Sequence, residues 1–507
     1  MGERVHKSIL NAEVNLLFYF LSLFLAFFSR KIFLDNLGAE FIGLTGTLHN
    51  ILGYLNLTEL GISASIGYFL FKPLQSNNRQ EIQDILSLLG YLYNWIGGII
   101  LGAAIIISLF FPLIFLKTDI SLGIIYFSFY SFLGSSLIGY FINYRQILLS
   151  ADQKKYLVAI YYQSANLIKT GLQIYLAYSY KNLCLWVAIE FLFSILGCIL
   201  LNWKIDKEYP WLNVNKRRGK ALLKRYPDVI IKTRQVFIHK IKDFVLIRSD
   251  ELFVFMFVSL KMVAYYGNYM MIIAKVTLLF NSTLDSVTAG IGNLVAEGNI
   301  KNTMKVFWEL MAIRHFIAGF LSFSIYYFIE PFITLWLGSE YILSRNILTL
   351  LVIYMYIANT RKAVDIFNHA NGLYDDTWSA WLELVLNIGI TIIFGIRFGI
   401  RGILLGKIIS TGLIAVFWKP YYLFSIGLHQ SYYSYWAGAI RYHTVIAFAF
   451  LASAAISPFI PIKPSIGYLS WITFCASHLA IFLTLQICGF YVFTYGTKDL
   501  INRLRKK

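Results

Sequence analysis

The sequence predicts an all-α, polytopic membrane protein of about fourteen transmembrane helices: two pseudo-symmetric six-helix lobes followed by a C-terminal helix pair. Three observations predict it. The 507 residues are 58% hydrophobic and only 14% charged, where soluble domains run near 25% charged. Apolar runs long enough to cross about 30 Å of hydrocarbon recur along the whole chain. Phe and Tyr, at 42 and 35 copies, are abundant enough to furnish interfacial belts for many spans. With nine prolines and no Ser/Gly/Pro-rich linker, nothing reads as an appended soluble domain.

The first span, 10–33, lacks a small-residue cleavage site after it and reads as a retained helix. Asn15, Ser22 and Ser29 recur in it every seven residues and lead to Arg30. Span two, 42–71, places Asn56, Glu59 and Ser63 on one stripe, beside a small-residue stripe of Gly46, His49 and Gly53. Spans three and four are the apolar runs 88–116 and 121–149. Span five, 157–179, stacks Gln163, Asn166, Thr170 and Gln173 with Lys169 adjacent, and span six covers 183–202. Span seven, 242–264, brings together Arg248, Asp250 and Glu251. Span eight, 267–292, aligns Lys275, Ser282 and Asp285 with Asn281 nearby. Span nine, 306–330, carries Glu309, Arg314 and His315; spans ten to twelve are 343–367, 378–396 and 402–427, the last with Lys407. The final pair, 440–461 and 467–495, carries His443 and His478 and reads as peripheral to any polar cavity.

An even number of spans puts both termini on one side. With the N-terminus inside, about thirty of the 44 Lys/Arg fall in cytoplasmic segments and about nine in outer ones. Both termini are therefore expected in the cytoplasm. The net charge of +18 follows from this topology, and nucleic acid is not an expected partner. The longest interruption, from Trp203 to Lys242, holds twelve Lys/Arg. It reads as an inner-surface anchor on anionic lipid, its second half an interfacial helix with Ile230, Ile231, Val236, Phe237 and Ile241 as the apolar stripe; a partner-docking platform is the other reading. Six spans precede it and eight follow. The resulting division is 1–202 (N-terminal lobe), 203–241 (basic loop), 242–430 (C-terminal lobe) and 431–507 (helix pair and basic tail). A faint echo supports duplication: Ser63-Ala64-Ser65-Ile66-Gly67 ends span two and Thr288-Ala289-Gly290-Ile291-Gly292 ends span eight. The four cysteines lack metal-ligand spacing and read as buried, inert thiols.

Five cations, Lys169, Arg248, Lys275, Arg314 and Lys407, lie inside these spans. At about 2.5–3.5 kcal/mol each at helix-centre depth, they cannot all face lipid. An interior lined with positive charge suits an anionic substrate carrying phosphate or carboxylate. Lys169, Lys275 and Arg314 lie deepest, roughly 12–18 Å from the nearest helix end. Duller readings stand beside this one. Arg248 with Glu251 makes a structural ion pair, Lys407 snorkels to the outer boundary, Arg30 anchors topology, and the small residues of span two serve packing. The intramembrane carboxylates Glu59 and Asp285, with Asp250 as a third candidate, are placed to exchange a proton or sodium ion as a cavity opens to each side.

Arg30-Lys31-Ile32-Phe33-Leu34, then Leu37-Gly38-Ala39-Glu40, then Gly43-Leu44, closing into Leu57-Thr58-Glu59-Leu60-Gly61-Ile62, resemble the N-terminal signature of bacterial polysaccharide flippases. These are O-antigen and capsule repeat-unit exporters of the multidrug/oligosaccharidyl-lipid/polysaccharide (MOP) superfamily. Tyr266-Gly267-Asn268-Tyr269 and Ile291-Gly292-Asn293-Leu294-Val295-Ala296-Glu297-Gly298 are similar to the matching region of the second half. The resemblance implies a V-shaped pair of six-helix lobes in the bacterial inner membrane. It implies an undecaprenyl-diphosphate-linked oligosaccharide as substrate, turned over to the outer leaflet by H+- or Na+-driven antiport. It marks Arg30 and Glu59, allows for a terminal helix pair, and implies a monomer with no cofactor that works beside a polysaccharide polymerase and chain-length machinery. A diphosphate carries about two negative charges, which Arg binds with its fork and Lys as a point charge. On this reading Arg30, Lys169, Arg248, Lys275 and Arg314 receive the substrate.

Lipid II flippase and drug or cation antiporter are the neighbouring alternatives. An antiporter for cations would want carboxylates to dominate its cavity, and here cations lead. A membrane polymerase needs a sizeable outer loop, whereas the longest outer segment, near Pro331 to Ser344, is short. No P-loop, HExxH or Asp-x-Asp pattern supports an ATP-driven pump or metalloenzyme.

Overall fold

A computed structural model describes residues 2–56, 62–229, 233, 249–285, 291–292, 294–295, 297–373 and 375–505. The described residues form helices and connecting turns, with no strand among them. Eleven of these helices are long and apolar enough to cross a membrane, so the chain is a multi-pass membrane protein. The chain divides into two compact units, residues 1–264 and 265–507.

In the first unit α1 (Gly2–Leu37) is followed after Gly38 by α2 (Ala39–Leu55) and α3 (Ile62–Gln75). The predicted second span covers α2 and α3; residues 57–61 between them, Glu59 included, lie outside the described residues. A Cβ on Gly43 would sit 1.9 Å from the Leu260 carbonyl oxygen. Only glycine allows α2 to approach so closely, which gives this small residue a packing role. Glu40 of the same motif accepts from Thr118 Oγ1 (3.3 Å) and the Asp119 amide (3.4 Å), fastening the loop there.

Helix α4 (Arg79–Ser108) begins nine residues before the predicted start, capped by the Asn78 side chain on the Glu81 amide. The basic loop accounts for the difference. Asp84, only 2% exposed, is paired with Arg225 (3.1 Å) and Arg218 (3.5 Å). Gln83 Nε2 donates to the Trp211 carbonyl (2.8 Å), and the Asn215 amide donates to Ser87 Oγ (3.0 Å). Polar residues that hydropathy assigns to a loop therefore extend the helix, because residues 211–225 of the basic loop cover them. The interfacial stripe expected at 230–241 lies outside the described residues, Thr233 aside.

Helix α5 (Leu122–Phe141) is followed by α6 (Ser164–Tyr180), which a π-helical turn, Ala159–Gln163, joins to Lys155–Val158. Its polar stripe keeps α6 out of the eleven apolar helices although it is continuous. α7 (Leu183–Glu208) returns from a tight turn at Lys181 and Asn182, the latter capping it through the Leu185 amide. Trp186 on α7 meets the rings of Phe33 and Phe41 edge-on at 5.6 Å, joining α1, α2 and α7 around one indole. The loop then supplies α8 (Gly219–Arg225).

α9 (Leu260–Asp285) leads to α10 (Ile300–Trp336), a 37-residue helix capped by Asn299 and holding Pro331 near its end. α11 (Arg345–Thr360) and α12 (Lys362–Ala370) follow, then α13 (Thr377–Phe398) and α14 (Ile400–Thr411), which continues through π-helical turns to Gly427. A Cβ on Gly402 would meet the Phe394 carbonyl at 2.1 Å, so α13 and α14 meet backbone to backbone. α15 (Tyr432–Ile456), α16 (Tyr468–Phe493) and α17 (Thr497–Arg505) complete the chain. This terminal pair is fastened to α10. Phe323 and Phe482 stack at 4.1 Å, Gln486 Nε2 donates to the Phe316 carbonyl, and Tyr442 Oη donates to the carbonyls of Trp308 and Tyr495. Tyr266 and Tyr269 of the second motif are fully buried, and Tyr269 Oη accepts from the Leu343 amide at 3.0 Å. Those motif residues build the core. Of the cysteines, Cys198 is buried as expected, while Cys184 and Cys488 lie on exposed helix faces.

Candidate translocation site

In the first unit the deepest predicted cation is neutralised. Lys169 Nζ lies 2.6 Å from Glu190 Oε1 across the α6–α7 turn. Gln173, 2% exposed, donates to the other carboxylate oxygen (3.0 Å) and to the Trp186 carbonyl (3.1 Å). Gln173 and Glu190 are equally far from the turn, so antiparallel return brings them to one depth. The sequence holds part of this signal, because Glu190 is a carboxylate inside an apolar span, but only the packing of α6 on α7 matches it to Lys169.

Arg30 is half-buried near the end of α1, and its Nη2 donates to the Ala264 carbonyl at 3.0 Å. Asp250 is buried at 4% exposure. Its neighbour Glu251, expected to pair with Arg248, accepts from Asn50 Nδ2 at 2.6 Å, on the face where Gly46 gives room. Arg248 lies outside the described residues, as Glu59 does, and only the backbone of Asp285 is described.

Asn56, first of the polar stripe in span two, accepts from Tyr140 Oη (3.0 Å) and Ser136 Oγ (3.2 Å) through one side-chain oxygen. These residues line a polar cavity of about 200 Å3 with Tyr93, Tyr144 and Gln146. Lys216 from the basic loop reaches the same region: its Nζ lies 4.6 Å from the Tyr144 ring centre and donates to the Phe141 carbonyl (2.8 Å) and Asn94 Oδ1 (3.2 Å). Burial, with Arg145 as a second cause, holds this ammonium below the ordinary lysine value. A loop cation is thus built into the unit, which composition alone does not reveal.

In the second unit Arg314 is 2% exposed, and its Nη1 donates to Asn281 Oδ1 at 2.8 Å. Two residues from separate predicted stripes, on α9 and α10, are brought together. Lys275 is half-buried about one turn and a half earlier on α9. Lys407 is 3% exposed with Nζ 4.6 Å from the Tyr354 ring centre. It is packed inside the unit and does not snorkel.

Sequence reading misses two further polar centres. Arg361 donates to Asp365 (3.0 Å) and to Glu383 (3.0 Å), the latter carboxylate 1% exposed. Asp376 takes Lys419 (2.8 Å), Trp418 Nε1 (2.9 Å) and Ser379 Oγ (3.0 Å). Arg361 and Asp365 at i, i+4 are readable as a helix pair; Glu383 requires the tertiary fold. His443 on α15 accepts or donates at 2.7 Å with Tyr356 Oη of α11, and both line a cavity of about 400 Å3. No group of three or more metal-ligating side chains occurs among the described residues.

No family model matches this sequence, and no curated protein sequence matches it. Solved structures do. The chain is similar to the lipid II flippase MurJ in an inward closed conformation, at 16% identity and a TM-score of 0.68, over 97% of this chain and 100% of that one. It is also similar to an inward-facing multidrug resistance MATE family transporter of the MOP superfamily, at 14% identity and a TM-score of 0.60, over 80% of this chain and 95% of that one. The outward-facing form of such a transporter aligns over 79% of this chain and 91% of its own, with a TM-score of 0.51 and 13% identity. From the helical architecture and these likenesses together, the chain has the fold of the multidrug/oligosaccharidyl-lipid/polysaccharide exporters.

Proposed function

We propose that the protein is a flippase, not an enzyme, that turns a lipid-diphosphate-linked oligosaccharide from the cytoplasmic to the outer leaflet by ion-coupled alternating access. The single observation that carries this reading is the extent of the fold likeness. The lipid II flippase aligns over 97% of this chain, whereas the MATE transporters align over about four-fifths of it. A whole-length match to a flippase favours a lipid-linked substrate over a soluble drug or cation. The N-terminal signature favours an undecaprenyl-diphosphate repeat unit for O-antigen, capsule or exopolysaccharide over lipid II itself. Lipid II is the second reading, favoured because the flippase matched over the whole length is one for lipid II.

On this proposal Arg30, Arg314 and Lys275, with Arg248, attract the diphosphate, each able to bind phosphate oxygens more strongly than neutral donors do. Lys169 has its charge met by Glu190 and serves this role only when that pair opens. Glu59, Asp250 and Asp285 exchange H+ or Na+. The protein works in the inner membrane with both termini in the cytoplasm, as a monomer beside a polymerase. Depletion in the native host, followed by analysis of lipid-linked glycans on the inner leaflet, tests the reading. Repeat-unit glycan accumulating there supports it, lipid II accumulating there selects the second reading, and neither accumulating refutes both.

A further inference from the structure

The polar cavity of the first unit has a wall whose hydrogen-bonding groups are only partly used. Ser136, Gly139 and Tyr140 fall at i, i+3 and i+4 on one face of α5, Tyr144 and Gln146 lie in the turns after it, and Asn56 ends α2. Six of the eight described lining residues carry a side-chain hydroxyl or amide, so the space suits a polar occupant. Asn56 Oδ1 accepts from both Tyr140 Oη and Ser136 Oγ, which uses its two lone pairs and leaves its Nδ2 hydrogens without a described acceptor. Neither the Gln146 amide nor the Tyr144 hydroxyl has a hydrogen-bond partner among the described residues. Together these three side chains offer donors and acceptors, and a hydroxyl needs both.

Shape, access and charge narrow the occupant. Tyr93 meets Tyr140 edge-on at 5.3 Å and holds its ring as one wall, while Lys216 braces the Tyr144 ring from 4.6 Å. Gly139 lines the space without filling it, because a Cβ there meets no atom within 4 Å. The volume of about 200 Å3 equals that of six or seven waters at about 30 Å3 each, room for a single pyranose ring. The membrane-crossing stretch of α5 closes at Phe141, so Tyr144 and Gln146 lie at its loop end, and Asn56, Ser136 and Gln146 are part-exposed. Polar solutes therefore reach the cavity from the side of the basic loop. Among the described residues its wall contains no carboxylate and no cation. The neighbouring cations are engaged elsewhere, Arg145 with Asn202 (2.7 Å) and Asp206 (2.6 Å), Lys216 with the Phe141 carbonyl (2.8 Å) and Asn94 (3.2 Å). Such a wall suits a neutral ligand.

We infer that this cavity is a subsite for one neutral sugar ring. A pyranose has an apolar C–H face and a rim of hydroxyls. The Tyr140 and Tyr144 rings supply apolar wall for the face, and Asn56 Nδ2, the Gln146 amide and Tyr144 Oη bond the rim. A sugar lacking a bonded hydroxyl leaves one of these groups unpaired in the occupied site, so the subsite discriminates between sugars by their hydroxyls. The same ring chemistry comes from a sugar of the transported glycan or from a free saccharide. The first source rests on the flippase reading, and it gives the glycan its own residues, none of them among those proposed for the diphosphate.

The test uses the full chain in nanodiscs and saturation-transfer NMR with methyl glycosides of the common neutral hexoses and N-acetylhexosamines. The expected result is that at least one of them binds, that Gln146→Leu weakens it about tenfold, and that Gly139→Leu, which fills the space, abolishes it. Neither variant loses a described side-chain hydrogen bond, and thermal melts like that of the wild type establish that both fold. No glycoside bound by the wild type, or the same binding in both variants, overturns the inference and leaves a water-filled space. Flipping in proteoliposomes separates the two sources. A higher lipid-linked glycan concentration for half-maximal flipping by Gln146→Leu assigns the subsite to the cargo; lost glycoside binding with unchanged flipping assigns it to a free saccharide. A wild-type protein that flips no lipid-linked glycan defeats the transport reading, and glycoside binding then still decides the subsite.

Discussion

Lys169 and Glu190 meet at 2.6 Å inside the first unit, with Gln173 completing the carboxylate's hydrogen bonds. Removing one partner of such a buried pair leaves an uncompensated charge, at a cost of about 3–5 kcal/mol, reduced here because each side chain keeps some exposure. Lys169→Gln and Glu190→Gln are each expected to lower thermal stability in detergent, and the double variant to recover most of the loss. Additive losses in that double-mutant cycle mean the two residues do not act as a pair.

The loop carrying α8 is held to α4 through Asp84. Its arginine partners are more than half exposed, so solvent screens the pair, and Asp84→Asn is expected to loosen the segment by about 1 kcal/mol. Limited trypsin digestion reads this directly, since Arg217, Arg218, Lys220, Lys224 and Arg225 all lie in the docked stretch. Cleavage there is expected to rise several-fold, with protection elsewhere unchanged. An unaltered cleavage rate shows that the hydrogen bonds of Trp211 and Asn215 suffice without Asp84.

Much of this architecture is legible in the sequence. Eleven of the fourteen apolar runs are matched by a described helix long and apolar enough to cross a membrane, spans two, five and seven being the exceptions, because crossing about 30 Å needs a length that hydropathy detects directly. Polar positions are legible as stripes, and their pairing is not. Nothing local to Lys169 reveals Glu190, and Asn281 and Arg314 meet only because α9 and α10 pack. The start of α4 escapes hydropathy for the same reason: Asp84 reads as solvent-facing until the distant Arg218 and Arg225 cover it. His443 reads as a lone imidazole in an apolar run, and only packing brings it to Tyr356 at the edge of a largely apolar cavity.

Gly43 provides a steric test of the first unit. Any side chain there meets the Leu260 carbonyl, and backbone cannot yield as a side-chain tip does. Gly43→Ala is expected to destabilise by about 3 kcal/mol, the upper end for overpacking. Thermal melts of purified protein measure it; a melt like that of the wild type shows that α2 tolerates displacement from Leu260.

Arg314 tests the proposed substrate chemistry in the second unit. Arg314→Gln is expected to reduce flipping about tenfold, corresponding to loss of one charge-assisted contact of roughly 1.5 kcal/mol, with membrane abundance retained. Arg314→Lys is expected to be intermediate, since it keeps the charge and loses the fork. Complementation of a flippase-null strain and immunoblots of membrane fractions report the two quantities separately. Full complementation by Arg314→Gln removes this residue from the substrate path.

Reconstituted transport decides most directly whether a lipid-linked glycan is the cargo. Purified protein in proteoliposomes is given undecaprenyl-diphosphate oligosaccharide, and the fraction reaching the opposite leaflet is followed with an impermeant glycan-modifying reagent. Modified glycan that rises with the protein present, and rises about tenfold more slowly with Arg314→Gln, is the expected result. Glycan that stays on its original leaflet while a soluble cationic drug crosses would contradict it.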